Sequence, residues 1–151
     1  MSLFEEEALE EGLGMFFKLD DGESANVVFR APPLTYYNVY DPATKKSSEY
    51  PYDGVKPEGA SKRHKLNVLQ WDDKDQMWVA QILQASNTLA NDIQDKVEKR
   101  GLDYLFEIKR SGTGKKTTYT VDSEGELSPL QKEKLNDVKL FNLELKKNDE
   151  D

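Results

Sequence analysis

Apolar residues recur at every second position in several short stretches of the chain and at every fourth in one. The run "FFKLDDGESANVVFR", residues 16–30, places apolar residues on both sides of Asp21-Gly22. That dipeptide between apolar runs predicts a β-hairpin. Ala25, Val27 and Phe29 share one face of its second arm. Residues 62–83, "KRHKLNVLQWDDKDQMWVAQIL", hold the clearest hairpin, two β-rich arms around an acidic turn. Both arms are apolar on both faces, which fits strands of a small closed barrel. Trp78 shares parity with Ala80 and Ile82 and reads as core, whereas Trp71 sits at the end of the turn, open to exposure. Residues 86–101 predict a helix: Ser86 is the N-cap, Ala85, Leu89, Ile93 and Val97 recur every fourth position, Lys99 and Arg100 occupy the last turn, and Gly101 ends it. A last hairpin follows, with Phe106 and Ile108 inward on one arm and Tyr119 and Val121 on the other. Ser128-Pro129 predicts a short helix. "VKLFNLEL" after it fits a strand and a helix equally well, and the last five residues, "KNDED", are expected to be mobile.

Residues 31–61 break the pattern. They hold five prolines (Pro32, Pro33, Pro42, Pro51, Pro57) and five tyrosines, and read as a long irregular insertion. The predicted fold is therefore mainly β: about five strands, one helix between strands 3 and 4, a long loop insertion and a short C-terminal helix. That element order is the order of an OB-fold Greek-key barrel, a common binder of oligonucleotides. The expected organisation is an acidic extension over 1–14, the barrel over 15–122, and a helix with an acidic tail over 123–151.

Composition narrows the chemistry. The 151 residues include no cysteine and one histidine, which removes disulfides, thiolate zinc sites and thiol nucleophiles. His64 has no partner His or Cys and reads as a strand residue, not a ligand. Carboxylates are plentiful but form no recognisable acid–base constellation, so no catalysis, cofactor or metal is expected. With no signal peptide and no apolar run of membrane-spanning length, the chain reads as soluble and intracellular. The net charge of −8 is uneven: residues 1–25 carry eight acids against one base, residues 122–151 nine against five, and the middle is net +3. Local field decides binding, so a polyanion partner is compatible with the overall acidity.

The cations of that middle region cluster. "IKRSGTGKKTTYTV", residues 108–121, sets Lys109, Arg110, Lys115 and Lys116 around two glycines. It is not a phosphate-binding P-loop: Lys109 stands where the first glycine is needed, Lys116 stands where Ser or Thr is needed, and a strand follows instead of a helix. Two readings remain, a solvated turn or a clamp on a phosphate backbone. Lys62, Arg63 and Lys65 are either a soluble strand entry or a second basic wall. Tyr36, Tyr37, Tyr40, Tyr50 and Tyr52 either pack the insertion onto the barrel or offer flat faces for bases. Trp71 joins them as a possible stacking residue.

The stretches 16–30, 62–86 and 103–121 together resemble the single-stranded-DNA-binding proteins of tailed bacteriophages and prophages, over about residues 15–122. The most specific match is Phe106, Ile108, Lys109, Arg110, Gly112, Gly114, Thr118, Tyr119 and Val121. The resemblance implies an OB fold that coats single-stranded DNA during phage-type replication or recombination, in the cytoplasm of a bacterial host. It also implies an acidic C-terminal tail, here "LKKNDED", that meets replication or recombination proteins and competes with DNA for the groove. Such proteins often carry Cys and His in the loop after the first hairpin. This chain has no cysteine, so zinc is not carried over. The acidic N-terminus could mask the groove in the same way. The rival expectation is an OB-fold protein–protein adaptor that uses the tyrosine-rich segment.

Overall fold

The computed structural model describes residues 14–148. Its strands are β1 (Ser24–Asp41), β2 (Lys46–Pro51), β3 (Ser61–Asp72), β4 (Met77–Ser86), β5 (Tyr104–Ser111) and β6 (Thr118–Glu126). They form one open antiparallel sheet in the order β4-β3-β1-β5-β6, with β2 paired to β1 off that path. Helix α1 (Asn87–Arg100) joins β4 to β5, and α2 (Pro129–Lys134) follows β6. The fold is mainly β and consistent with a barrel-like arrangement.

Two expectations are corrected. Among the described residues there are six strands, not about five, and the helix follows the fourth, not the third. Both differences arise in residues 31–61, which are largely strand. Pro32 and Pro33 fall where the β1–β3 register shifts, between Arg30 and Leu34, so their missing N–H groups cost no ladder bond. Beyond them β1 pairs on both sides, with β3 and with β2. Pro42 lies in the β1–β2 turn and Pro51 ends β2, so only residues 52–60 remain a loop.

The first arm of the expected hairpin, Phe16–Leu19, is also not a partner of β1. It crosses to the free edge of β4, where Phe16 forms an isolated parallel bridge with Ile82. Ile82 N donates to Met15 O at 2.8 Å and Phe17 N to Ile82 O at 2.9 Å. After the turn the chain reaches β5, where Gly22 N donates to Arg110 O at 2.9 Å and Arg110 N to Glu23 O at 3.0 Å. Residues 15–23 thus link the edge strand β4 to the far end of β5.

The main core lies between the sheet and α1, around Val27, Phe29, Leu66, Val68, Leu83, Phe106, Ile108 and Val121, with Leu89 and Ile93 from the helix. The helix begins and ends as its sequence dictates: Ser86 Oγ accepts from Leu89 N, Gly101 is the C-cap at φ 87°, and Lys99 and Arg100 occupy the last turn. The second apolar face of the β3–β4 hairpin has another cause than barrel closure. Val28, Leu69 and Trp78 are buried there by Leu127, with Leu135 and Val138 packed against them. The short α2 carries a full capping box at Ser128 and Gln131. Among the described residues no helix is long and apolar enough to cross a membrane.

Candidate nucleic-acid interface

Neighbouring residues on a strand point to opposite faces, so pairing register sorts the candidate side chains. Tyr37 lies opposite Tyr50 of β2 and opposite Lys62 of β3. Tyr50, Tyr37 and Lys62 therefore form a row across three strands. Tyr52 leans on this row, its ring 5.0 Å from that of Tyr37 and 4.8 Å from Lys62 Nζ. Tyr37 is buried and acts as the base of the cluster, while Tyr50 and Tyr52 are 39% and 48% exposed. Exposed aromatic side chains beside an ammonium are the combination that single strands need, rings for the bases and a cation for the phosphates. Tyr40 is exposed too, on the opposite face near the end of β1.

The opposite face has a different character. Tyr36 is 2% exposed and belongs to the core, so neither Tyr36 nor Tyr37 presents a free ring for stacking. Lys65 is not a surface cation: its Nζ lies 2.6 Å from Glu49 Oε1, and both side chains are about 6% exposed. The C-terminal segment covers the pair. Lys65 Nζ also donates to Glu144 O at 2.8 Å, and Glu49 Oε1 accepts from Lys146 N at 2.6 Å. Asn67 grips the same segment in both directions, its Oδ1 accepting from Phe141 N and its Nδ2 donating to Phe141 O. Asn148 does likewise with the Glu49 backbone. Residues 138–148 are neither strand nor helix but an extended strap, and Asn148, expected to be mobile, is anchored. The acidic N-terminal residues Glu5–Glu11 and the last acids 149–151 lie outside the described residues.

Burial raises the Tyr36 phenol above its ordinary value; the Glu49 carboxylate adds to this, and Arg63, which hydrogen-bonds it, opposes. The folded state therefore holds this proton more tightly than the unfolded chain does. The resulting stability is complete below the unfolded value of about 10 and is lost as pH climbs past it. Ultraviolet titration is expected to contain one late-ionising tyrosine that is missing in Tyr36→Phe, and the variant's stability should fall less steeply in alkali. Identical titration curves would refute this assignment.

Trp71 packs edge-on against Trp78, with ring centres 5.1 Å apart, and its Nε1 donates to Asp73. It sits at the far end of β3, away from the tyrosine row. Lys109, Lys115 and Lys116 are exposed on the β5–β6 hairpin. The tip of that hairpin is an ordered turn: Gly114–Lys116 form one 3-10 turn, and Gly112 N donates to Asp21 Oδ1 at 2.7 Å. An acidic turn therefore braces the basic hairpin.

The hairpin's Arg110 does not join the exposed lysines. It continues the inward parity of Phe106 and Ile108, and its Nη1 donates to Leu19 O at 2.6 Å. It lines one cavity with half-buried Arg63, together with Lys18, Gln84 and Tyr119. Lys18, Gln84, Glu49 and Asn67 escaped the sequence reading. Asn67, a lone amide in the apolar run "LNVL", was the one with a signal, since a buried amide requires partners.

Comparison with protein-family models, curated proteins and solved structures finds no match to this chain.

Proposed function

We propose that the protein binds single-stranded DNA without catalysis and with little sequence preference, as an OB-fold protein of the phage and prophage kind. The observation that carries this reading is the cluster of exposed Tyr50 and Tyr52 on Tyr37, with Lys62 over the Tyr52 ring. The strand count supports it as well. With β2 set aside as an addition to β1, five strands remain, the number of an OB barrel. Tyr50 and Tyr52 stack bases; Tyr40, exposed on the other face, stays outside this cluster. Lys62, Lys109, Lys115 and Lys116 neutralise the backbone, while Arg63 and Arg110 offer guanidinium groups in the adjoining cavity. Tyr36, Tyr37, Lys65 and Trp71 serve the fold.

One observation favours the rival, an adaptor for proteins: the face carrying Glu49, Lys65 and Asn67 already holds an extended polypeptide, the chain's own strap. Anisotropy of a labelled oligothymidine, titrated at rising salt with duplex as control, separates the two. Single-strand binding should weaken as salt rises, because phosphate contacts release counterions. Tyr52→Ala should cost about 1–3 kcal/mol, roughly 5- to 150-fold in affinity, the worth of one stacked base. Absence of binding at low salt would reject the DNA reading and leave the adaptor.

A further inference from the structure

A cavity of about 250 Å³ lies between residues 16–20, the ends of β3 and β4, and the base of the β5–β6 hairpin. Its lining brings together three cations, Lys18, Arg63 and Arg110, against one carboxylate, Asp20, and adds Gln84 and Tyr119 as neutral hydrogen-bonding groups. The three cations come from three separate parts of the chain, and none has a carboxylate partner among the described residues. Arg110 is fixed by its bond to the Leu19 carbonyl, and its Nε is buried without an acceptor. A buried donor left unpaired is costly, and an oxygen acceptor seated among these cations would satisfy it. Arg63 neighbours Lys62 along β3 but points to the other face, so the cavity and the tyrosine row lie on opposite sides of that strand.

We propose that this cavity is an oxoanion site that takes one phosphate group. Three positive groups against one carboxylate suit a ligand of charge near −2. Donors arriving from three elements suit a tetrahedral set of oxygens better than a planar carboxylate, which one arginine fork would satisfy. The group is either free phosphate or the terminal phosphate of a nucleic acid. The inference shares Arg63 and Arg110 with the DNA reading but does not rest on it.

The test is thermal stabilisation of the full chain by inorganic phosphate at low ionic strength, with chloride at matched ionic strength as control. Saturable stabilisation is expected in the wild type. Arg63→Gln should weaken it roughly tenfold, the loss of charge-assisted hydrogen bonds. Lys18→Gln should weaken it less, and Lys99→Gln, an equal change of charge in the last turn of α1, should leave it unchanged. Arg110→Lys keeps the charge and tests the guanidinium without removing every donor to Leu19. Short oligothymidines with and without a 5′-phosphate identify the source. A preference for the phosphorylated end that Arg63→Gln abolishes assigns the site to nucleic-acid ends; equal binding of both, alongside saturable phosphate binding, assigns it to free phosphate. Phosphate acting no better than chloride, or Arg63→Gln weakening it no more than Lys99→Gln, would overturn the proposal. Failure of the DNA reading is seen separately, as absence of oligothymidine binding at low salt while the phosphate titration is intact.

Discussion

Lys65→Met is expected to lower stability by about 3–5 kcal/mol, the cost of leaving one member of a buried ion pair without its partner. Glu49 would keep its charge at 6% exposure with only the Lys146 N–H to meet it. Glu49→Leu should cost a similar amount for the mirror reason. The double variant Lys65→Met/Glu49→Leu should recover most of the loss, because two apolar groups need no counter-charge. Recovery will fall short of complete. Lys65 also donates to the Glu144 carbonyl and Glu49 accepts from the Lys146 N–H, so the apolar pair orphans two strap backbone groups. Urea denaturation of the four proteins closes the cycle, and a coupling near zero would refute a buried pair. Single-strand affinity per folded molecule should survive Lys65→Met, because this lysine is spent inside the fold. A large fall in affinity with preserved stability would restore Lys65 to the interface.

That lysine shows where the sequence is legible and where it is not. Lys62, Arg63 and Lys65 read as a soluble strand entry or a basic wall because strand periodicity assigns faces but does not say what covers them. The cover comes from residues 138–148, some 75 positions later, through bonds between side chains and extended backbone that leave no periodic trace. The α1 helix was readable to the residue because every signal for it is local: its cap, its four-residue repeat and its closing glycine. The β3–β4 and β5–β6 hairpins were readable for the same reason. The 31–61 segment was misread because prolines count against a strand only where the ladder needs their N–H. At the Arg30–Leu34 register shift it does not, and a register shift is a property of the partner strand. The tyrosines show the same limit. Tyr36 and Tyr37 are adjacent and chemically identical, yet one lies under Lys65 and the other under Tyr52, and both are buried by partners from outside β1. Only Tyr40, Tyr50 and Tyr52 keep the exposure that stacking requires.

Gly112→Ala tests the glycine hairpin itself. The sequence permits two uses for these glycines, close approach to a backbone ligand or turn geometry. At Gly112 geometry is sufficient: φ is +88°, and an added Cβ would sit 2.3 Å from the Lys116 carbonyl oxygen. Neither the carbonyl nor the φ can yield without opening the 3-10 turn that carries Lys115 and Lys116. Gly114 supplies the control. It also has positive φ, +56°, but a Cβ there meets nothing within 4 Å. Gly114→Ala should therefore cost only the left-handed penalty of about 1–2 kcal/mol. Gly112→Ala pays a conformational penalty of about 1–3 kcal/mol and the collision in addition, so its urea midpoint should fall clearly further. It should also weaken single-strand binding, because displacing the tip moves two of the proposed phosphate contacts together, whereas Gly114→Ala keeps them in place. Equal losses of stability in the two variants would show that the turn absorbs the methyl group. Equal single-strand affinities, with Gly112→Ala still the less stable, would separate the shape of the hairpin from binding and remove Lys115 and Lys116 from the interface.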